Sequence, residues 1–380
     1  MKLSGTKLYK IHKFDKSRNL TTAELLETAG YIKQVHSGLY VQMPLMRRVL
    51  NNIEKIVRTQ LEIYGVLEIG LNQLQNADIW KQTERFDALG EEKFAMKDRS
   101  DNDILFTGTN EELVTVVAKS MVESYRDLPF TYYQINNKFR DEIRCNAGLI
   151  RCKEFVMMDA YSFHSSEEDL KKFYKVMRKC YMNIFDELNL EYRIVKADSG
   201  NIGGSMSEEF IVDTNDGEIE IGHIFQLGTK YSNKLQAQFV NEQNTSQDIV
   251  MGCYGIGISR IAQVLADINR IGNTINWPVT VAPFDNAIII ADINDAEQLR
   301  CATAMYNSFI ENGYPSYIDD RDVRIGQKLG ESDLVGAYKK YLVGKNIKNN
   351  HYEEKTRTNQ AWDKIDINTG QTYEESDYVK

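Results

Sequence analysis

The segment Phe139-Arg140-Asp141-Glu142 sets a guanidinium and a carboxylate two residues apart. Side chains alternate along a β-strand, so Arg140 and Glu142 would share one face there. Such a pair can grip phosphate oxygens with the guanidinium while the carboxylate receives an amine or hydroxyl. A surface cross-strand ion pair has the same pattern. Arg151 follows a short polar stretch, and Phe155 comes four residues later. An aromatic ring opposite two arginines makes a slot for a flat base and its phosphates, although an aromatic in a strand is often simply core. The third cluster, GCYGIGISR at Gly252–Arg260, has glycines that let backbone approach a ligand and puts Arg260 at the start of the next helix. It is not the dinucleotide-fold fingerprint, because the acidic residue expected about 20 positions on is missing. No GKS or GKT is present, which disfavours a P-loop NTPase.

These residues need elements to hold them. Apolar positions from Val49 to Tyr64 fall at helical spacing and stop at Gly65,. VLEIGLN then reads as a strand. A second helical run covers 110–126, with Asn110 as its N-cap. FTYYQINNKFRDEI and KEFVMMDAYSFH predict a long antiparallel hairpin, and Ser165–Glu168 a capping box before a helix carrying Leu170, Met177, Tyr181, Ile184 and Phe185 on one face. Strands with turns at NIGG and NDGE follow, then the glycine-rich strand and its helix. NWPVTVAPFDN reads as a boundary. Beyond it, AIIIAD, an amphipathic helix, PSYIDD and KKYLVGK predict a compact α/β module of about 90 residues. The polar last stretch of the chain reads as a tail. The expected organisation is therefore an α+β domain over 1–280, with an antiparallel sheet of six or seven strands flanked by helices, and an α/β domain over 283–380.

Composition narrows the class. With 42% apolar and 27% charged residues among 380, the chain reads as globular rather than disordered. Cys145, Cys152, Cys180, Cys253 and Cys301 show no CxxC spacing, which argues against a zinc knuckle and for a reducing compartment. There is no apolar leader and no run of about 18 apolar residues, so the reading is cytoplasmic, with no membrane partner. A net charge of −9 argues against a general nucleic-acid binder, but a local basic stripe can sit within an acidic total. Lys339, Lys340, Lys345 and Lys348 form one candidate stripe; a solvated lysine face would look the same.

In this order the three clusters resemble the three signature motifs of class II aminoacyl-tRNA synthetases, and most nearly those of the bacterial-type prolyl-tRNA synthetases. TAGYIKQVHSGLYVQMPLMRRVLNNI is similar to motif 1, NKFRDEIR…GLIRCKEFVMMDAYSFH to motif 2 and MGCYGIGISRIAQVLA to motif 3. FAMKDRSDNDILFTGTNEELVT, GHIFQLGTKYS, WPVTVAPFD and DDRDVRIGQKLGESDLVG extend the likeness over nearly the whole chain. The resemblance implies ATP-dependent activation of L-proline to prolyl-adenylate and its transfer to tRNA(Pro). It gives Arg140 the α-phosphate and the proline carboxylate, Glu142 the adenine side, and Phe155 a stacking role. Arg151 and Arg260 take the outer phosphates of a bent ATP, with Mg2+ bridging them. Thr109 and Glu111 receive the imino group, and Glu220, Gly222 and His223 line the adenosine and proline pocket. Pro44 is implied at a homodimer interface, and Arg321, Lys328, Lys339 and Lys340 are the implied tRNA contacts. The C-terminal module is implied to bind the anticodon.

Four departures qualify that likeness. VDTNDGEIEIGHIF runs straight across the point where the family often carries an editing insertion, so no cis-editing is expected and a separate trans-editing protein is implied. The family's PTHEE loop is Gly108-Thr109-Asn110-Glu111-Glu112, without its histidine. The RPRFG turn is Arg144-Cys145-Asn146-Ala147-Gly148. SHEF is Ser207-Glu208-Glu209-Phe210, and DDRxER is Asp319-Asp320-Arg321-Asp322-Val323-Arg324. Activation residues are kept better than tRNA-facing ones. This leaves open a synthetase-like paralogue that forms or binds an aminoacyl-adenylate without efficient charging. An interaction module with a dead site is a third reading, against which stands the survival of Arg140, Glu142, Arg151, Phe155 and Arg260.

Overall fold

The structure is a computed structural model that describes residues 1–8, 19–145, 147–356 and 361–372. Asn146 in the motif 2 turn, part of the N-terminal segment and the end of the polar tail lie outside the described residues. The chain forms two compact units that interleave in sequence: one gathers 1–33, 41–52 and 265–380, the other 34–40 and 53–264.

The second unit is built on a seven-stranded sheet. Its order is Leu67–Glu68, Phe130–Phe139, Glu154–His164, Val250–Ile256, Gly217–Gly228, Met206–Thr214, Arg193–Lys196. Only the first pair is parallel; every other neighbour is antiparallel, as expected from the sequence. The long hairpin is in register from Phe130↔Phe163 to Phe139↔Glu154. Its first strand stops at Phe139, so Arg140 and Glu142 stand beyond it and strand alternation does not order them. Met206–Thr214 and Gly217–Gly228 turn directly through Asn215 and Asp216, with Thr214 opposite Gly217.

The helix Glu167–Glu187 packs its apolar face on this sheet, burying Leu170, Met177, Tyr181, Ile184 and Phe185. Its cap is Ser166, whose side chain accepts from the Asp169 amide, rather than the Ser165–Glu168 box. A Cβ on Gly222 would lie 3.0 Å from the Phe185 ring and 3.2 Å from Tyr181. One on Gly252 would lie 2.7 Å from Ser162 Oγ and 2.9 Å from Leu170. Gly252 therefore serves helix-to-sheet contact and not a ligand, contrary to expectation. The helix after Asn110 runs Glu111–Met121, shorter than its apolar pattern predicts, and Asn110 makes no side-chain cap.

The first unit contains a five-stranded sheet, Ser316–Asp319, Asn286–Ile290, Lys339–Val343, His351–Thr356, Asp363–Asp366. The first three strands are parallel, joined through the helices Ala296–Glu311 and Ile325–Val335. The last two are antiparallel. These two strands are not evident in the sequence, because HYEEKT and DKID are too polar to give a buried-strand signal. Ile288, Ile290, Ile318, Tyr341 and Val343 form its core. Trp277 is also buried in this unit, donating its indole N–H to Tyr31 at 2.7 Å.

Candidate active site

A cleft of about 470 Å3 opens on the seven-stranded sheet. Arg140, Glu142, Arg151, Phe155, Glu220, Gly222, His223 and Arg260 all line it, as does Thr109. Residues separated by more than a hundred positions converge because adjacent strands and the chain just past their ends deliver them. Arg140 leaves the end of Phe130–Phe139, Phe155 opens the returning strand, Glu220 and His223 lie on Gly217–Gly228, and Arg260 enters from the helix Ile258–Ile268.

Arg140 keeps solvent access. It donates to the Gly108 carbonyl at 3.1 Å, and its guanidinium carbon lies 5.3 Å from the Phe155 ring centroid. Its pKa is lowered by the surrounding cleft walls, which desolvate it although its side chain stays open to solvent, and by the neighbouring Arg260 charge. Arg260 donates to the carbonyls of Glu220 at 2.7 Å and Ile150 at 3.3 Å. Arg151 is exposed. Glu142 is half-buried, and its carboxylate accepts from the Arg144 amide at 3.2 Å. Gly257 brings backbone to the cleft wall, where a Cβ would meet the Arg260 side chain at 3.3 Å.

Glu220, Glu209 and His223 form a second group. His223 Nδ1 lies 3.4 Å from Glu220 and 3.5 Å from Glu209. The three donor atoms sit within 4.8 Å of one another. Burial pushes the Glu220 carboxyl up, but the His223 hydrogen bond and the Arg260 and Arg140 charges outweigh it and hold it low. Glu209 moves the other way, raised by burial and by Glu220. The two carboxylates and the imidazole lie close enough to form a candidate cation site, of which the carboxylate oxygens alone suit a hard ion,.

Glu111 does not line the cleft. It is fully buried behind Thr109, accepting from Thr109 Oγ1 at 2.8 Å, Cys253 Sγ at 3.2 Å and Arg85 at 2.9 Å. Arg85 also pairs with Glu112 at 3.0 Å and lies over Trp80 and Tyr231. One buried guanidinium thus serves two buried carboxylates. Burial drives Glu111 up, but Arg85 and the Thr109 and Cys253 hydrogen bonds pull it below the usual range. Glu112 is pushed up to about 7 by burial and by the Glu111 charge, against the pull of Arg85. Arg85, Asp159, Trp80 and Cys253 also line the cleft and carry no signal in the sequence that marks them. Arg85 lies on a four-residue helix, Arg85–Ala88, too short to register as a pattern. A lone Asp or Cys in an apolar strand reads as core.

The remaining residues lie in the other unit and none lines this cleft, although Lys340 borders a small cavity of about 50 Å3 beside Asp333. Pro44 is exposed at the first position of the helix Pro44–Ile63. Arg321 pairs with Asp319 at 2.6 Å and Glu331 at 2.7 Å, and Lys339 with Glu354 at 3.2 Å. The expectation for Lys328 and Lys340 is corrected. Lys328 is 1% exposed and donates to the Ile290 carbonyl at 2.8 Å, while Lys340 is 7% exposed and pairs with Asp333. Both ammonium groups complete internal hydrogen bonds and are not free for phosphates. The exposed lysines of the stripe are Lys345 and Lys348.

Known proteins share much of this sequence and fold. Residues 94–269 match the family model "tRNA synthetase class II core domain (G, H, P, S and T)". The chain is 36% identical over 400 residues to a "Proline--tRNA ligase" from Rickettsia bellii (strain OSU 85-389), covering 92% of this chain and 93% of that one. It is 34% identical to the enzyme of that name from Bartonella quintana (strain Toulouse), covering 94% and 96%. A crystal structure of prolyl-tRNA synthetase from Cryptosporidium parvum with halofuginone and AMPPNP shares the fold at TM-score 0.83 and 17% identity, over 91% of this chain and 74% of that one. The Giardia lamblia enzyme, in complex with prolyl-adenylate, matches at TM-score 0.82 and 19% identity, over 92% and 77%.

Proposed function

The chain belongs to the prolyl-tRNA synthetase family, and from that premise we propose that it activates L-proline with ATP and transfers it to tRNA(Pro). The observation that carries this is the cleft in which Arg140, Arg151, Arg260 and Phe155 meet beside Thr109. A flat base stacks on Phe155. Arg140 holds the α-phosphate and the proline carboxylate, while Arg151 and Arg260 hold the outer phosphates. Glu142 faces the adenine, and Glu220, Gly222 and His223 close the pocket wall. Thr109, with Glu111 behind it, receives the imino group.

A proline carboxylate oxygen attacks the α-phosphorus. The bond to the bridging oxygen breaks, and pyrophosphate leaves with that electron pair. The terminal ribose hydroxyl of tRNA then attacks the adenylate carbonyl, loses its proton and expels AMP. No protein nucleophile is needed, so catalysis is positioning plus charge stabilisation. Glu220, the carboxylate of this group that lines the cleft, would help hold Mg2+, which neutralises phosphate charge when bound,.

Further parts of the reading follow from the family. The reading assigns 1–280 to the catalytic domain and 283–380 to an anticodon-binding domain, although 1–33, 41–52 and 265–280 fall in the same compact unit as 283–380. Pro44 lies at a homodimer interface, and a separate protein edits alanyl-tRNA, given the direct turn at Asn215 and Asp216. No helix among the described residues is long and apolar enough to cross a membrane, and the proposed workplace is the cytoplasm with the translation machinery.

A second reading, an adenylate-forming paralogue that charges tRNA poorly, draws support from the internal pairing of Arg321, Lys328 and Lys340. Proline-dependent ATP–pyrophosphate exchange run beside aminoacylation of tRNA(Pro) separates the two. Both activities are expected. Exchange without charging would select the paralogue, and neither activity would overturn both readings.

A further inference from the structure

Asn110 stands where a helix cap is expected but caps nothing. Its side chain is wholly buried and makes two other bonds. Nδ2 donates to Asp159 Oδ2 at 2.9 Å, and Oδ1 accepts from Gln75 Nε2 at 2.7 Å. Its amide N–H donates to the Tyr161 hydroxyl at 2.8 Å. That hydroxyl donates to Asp159 at 2.9 Å and lies 3.3 Å from Thr109 Oγ1. Asp159 pairs with Lys138 at 2.8 Å, both side chains out of solvent, and also accepts from Gln134 at 3.2 Å. A buried ion pair depends on hydrogen bonds to its remaining lone pairs, and Asn110 is one of three neutral donors on Asp159 Oδ2, while Oδ1 faces the Lys138 ammonium with no further hydrogen bond.

The placement of this network matters. Asn110 lies between Thr109 and Glu111 in sequence. Lys138 lies two residues before Arg140, and Asp159 is on the strand that brings Phe155. One side chain therefore links the loop facing the imino acid to the hairpin facing the nucleotide. We propose that Asn110, held by the Lys138–Asp159 pair and Gln75, is a positioning residue that fixes Thr109 and Glu111 for recognition of the imino acid. The inference rests on the proposed function, since it names a determinant within that same site.

The test compares Asn110→Ala and Asn110→His with the unmodified full chain in pyrophosphate exchange, varying proline and ATP separately. A neutral imidazole offers one N–H donor and one nitrogen acceptor, the same two functions the amide uses here. The alanine variant is expected to raise KM for proline about ten-fold, with kcat and KM for ATP changed less than about two-fold. The histidine variant is expected to recover most of that loss. Asn110→Ser, which keeps one polar partner, should fall between them and replaces alanine if that variant does not fold. An unchanged KM for proline, an equal rise in KM for ATP, or histidine no better than alanine would overturn the inference. No proline-dependent exchange in the unmodified chain would instead remove the functional reading, and this inference with it.

Discussion

Cations end differently in the two sheets. On the seven-stranded sheet, Arg140 and Arg151 keep solvent access along a cleft, and Arg260 touches protein mainly through backbone carbonyls. In the five-stranded unit, Arg321, Lys328 and Lys340 terminate on carboxylates or carbonyls of their own unit. Both regions are rich in Lys and Arg, but among the described residues Arg140 and Arg151 turn exposed guanidinium groups to the cleft, whereas Arg321, Lys328 and Lys340 are committed to their own unit. A cation with its donors already satisfied in the protein must break those bonds to bind a phosphate, so it adds little net affinity. Sequence shows the charge; the partner decides its use.

The sharpest way to break this comparison is Arg140→Ala. If its donors are held for the α-phosphate, proline-dependent exchange should fall by about a thousand-fold or more. Lysine should restore little, because a point charge cannot reproduce the planar fork. Near-normal exchange in Arg140→Ala would mean that the open guanidinium is not a catalytic group.

Arg85 is the exception inside the cleft unit, a buried cation already spent on Glu111 and Glu112. Arg85→Met leaves two carboxylates without a counter-charge and is expected to lower stability by about 3–5 kcal/mol in urea unfolding. Lys328→Met in the other unit abandons hydrogen bonds to two carbonyls and should cost about 1–3 kcal/mol, with exchange intact. Equal losses would erase the distinction between a buried charge network and a buried cap.

Glu112 sharpens the same point through pH. Its folded pKa is raised to about 7 from 4.5, so the folded chain binds that proton more tightly than the unfolded chain. The contribution is fully present below pH 4.5 and is lost as pH rises through 7, with a slope of at most about 1.4 kcal/mol per unit. Glu112→Gln should flatten that decline, gaining stability relative to the parent between pH 5 and 8. An unchanged slope would show that Arg85 keeps Glu112 ionised throughout.

How much of this was legible depended on what each signal required. The hairpin announced itself because β-branched and aromatic residues fill both strands, and the long helix because its apolar face repeats every three to four residues. The cleft residues Arg140, Phe155 and Arg260 were legible through motif likeness, although strand alternation was the wrong reason for Arg140 and Glu142. Arg85 and Asp159 were not, since nothing local to them specifies a partner 26 residues away in Glu111, or a lysine on the neighbouring strand. Lys328 and Lys340 were misread for the converse reason. A lysine's burial is set by what packs over the helix or strand it lands on, as for Lys328 on Ile325–Val335 and Lys340 on Lys339–Val343, and snorkelling stems make its sequence pattern uninformative.

The smallest expected effect tests the lysines of the stripe that stay at the surface. Lys345 and Lys348 are exposed, and Lys348 has only a distant partner, Asp295 at 3.9 Å. If this face follows the tRNA backbone, it does so by charge and not by reading bases. Reversing both to Glu should weaken tRNA binding several-fold and lower the slope of log affinity against log salt by about one for each phosphate no longer neutralised. Exchange, which needs no tRNA, should not change. Reversing Lys340 instead should damage folding, because its ammonium answers Asp333 inside the unit. Unchanged charging kinetics in the Lys345→Glu, Lys348→Glu double variant would remove the stripe as a tRNA surface. The tRNA would then be held by surfaces other than these lysines, with charging itself intact.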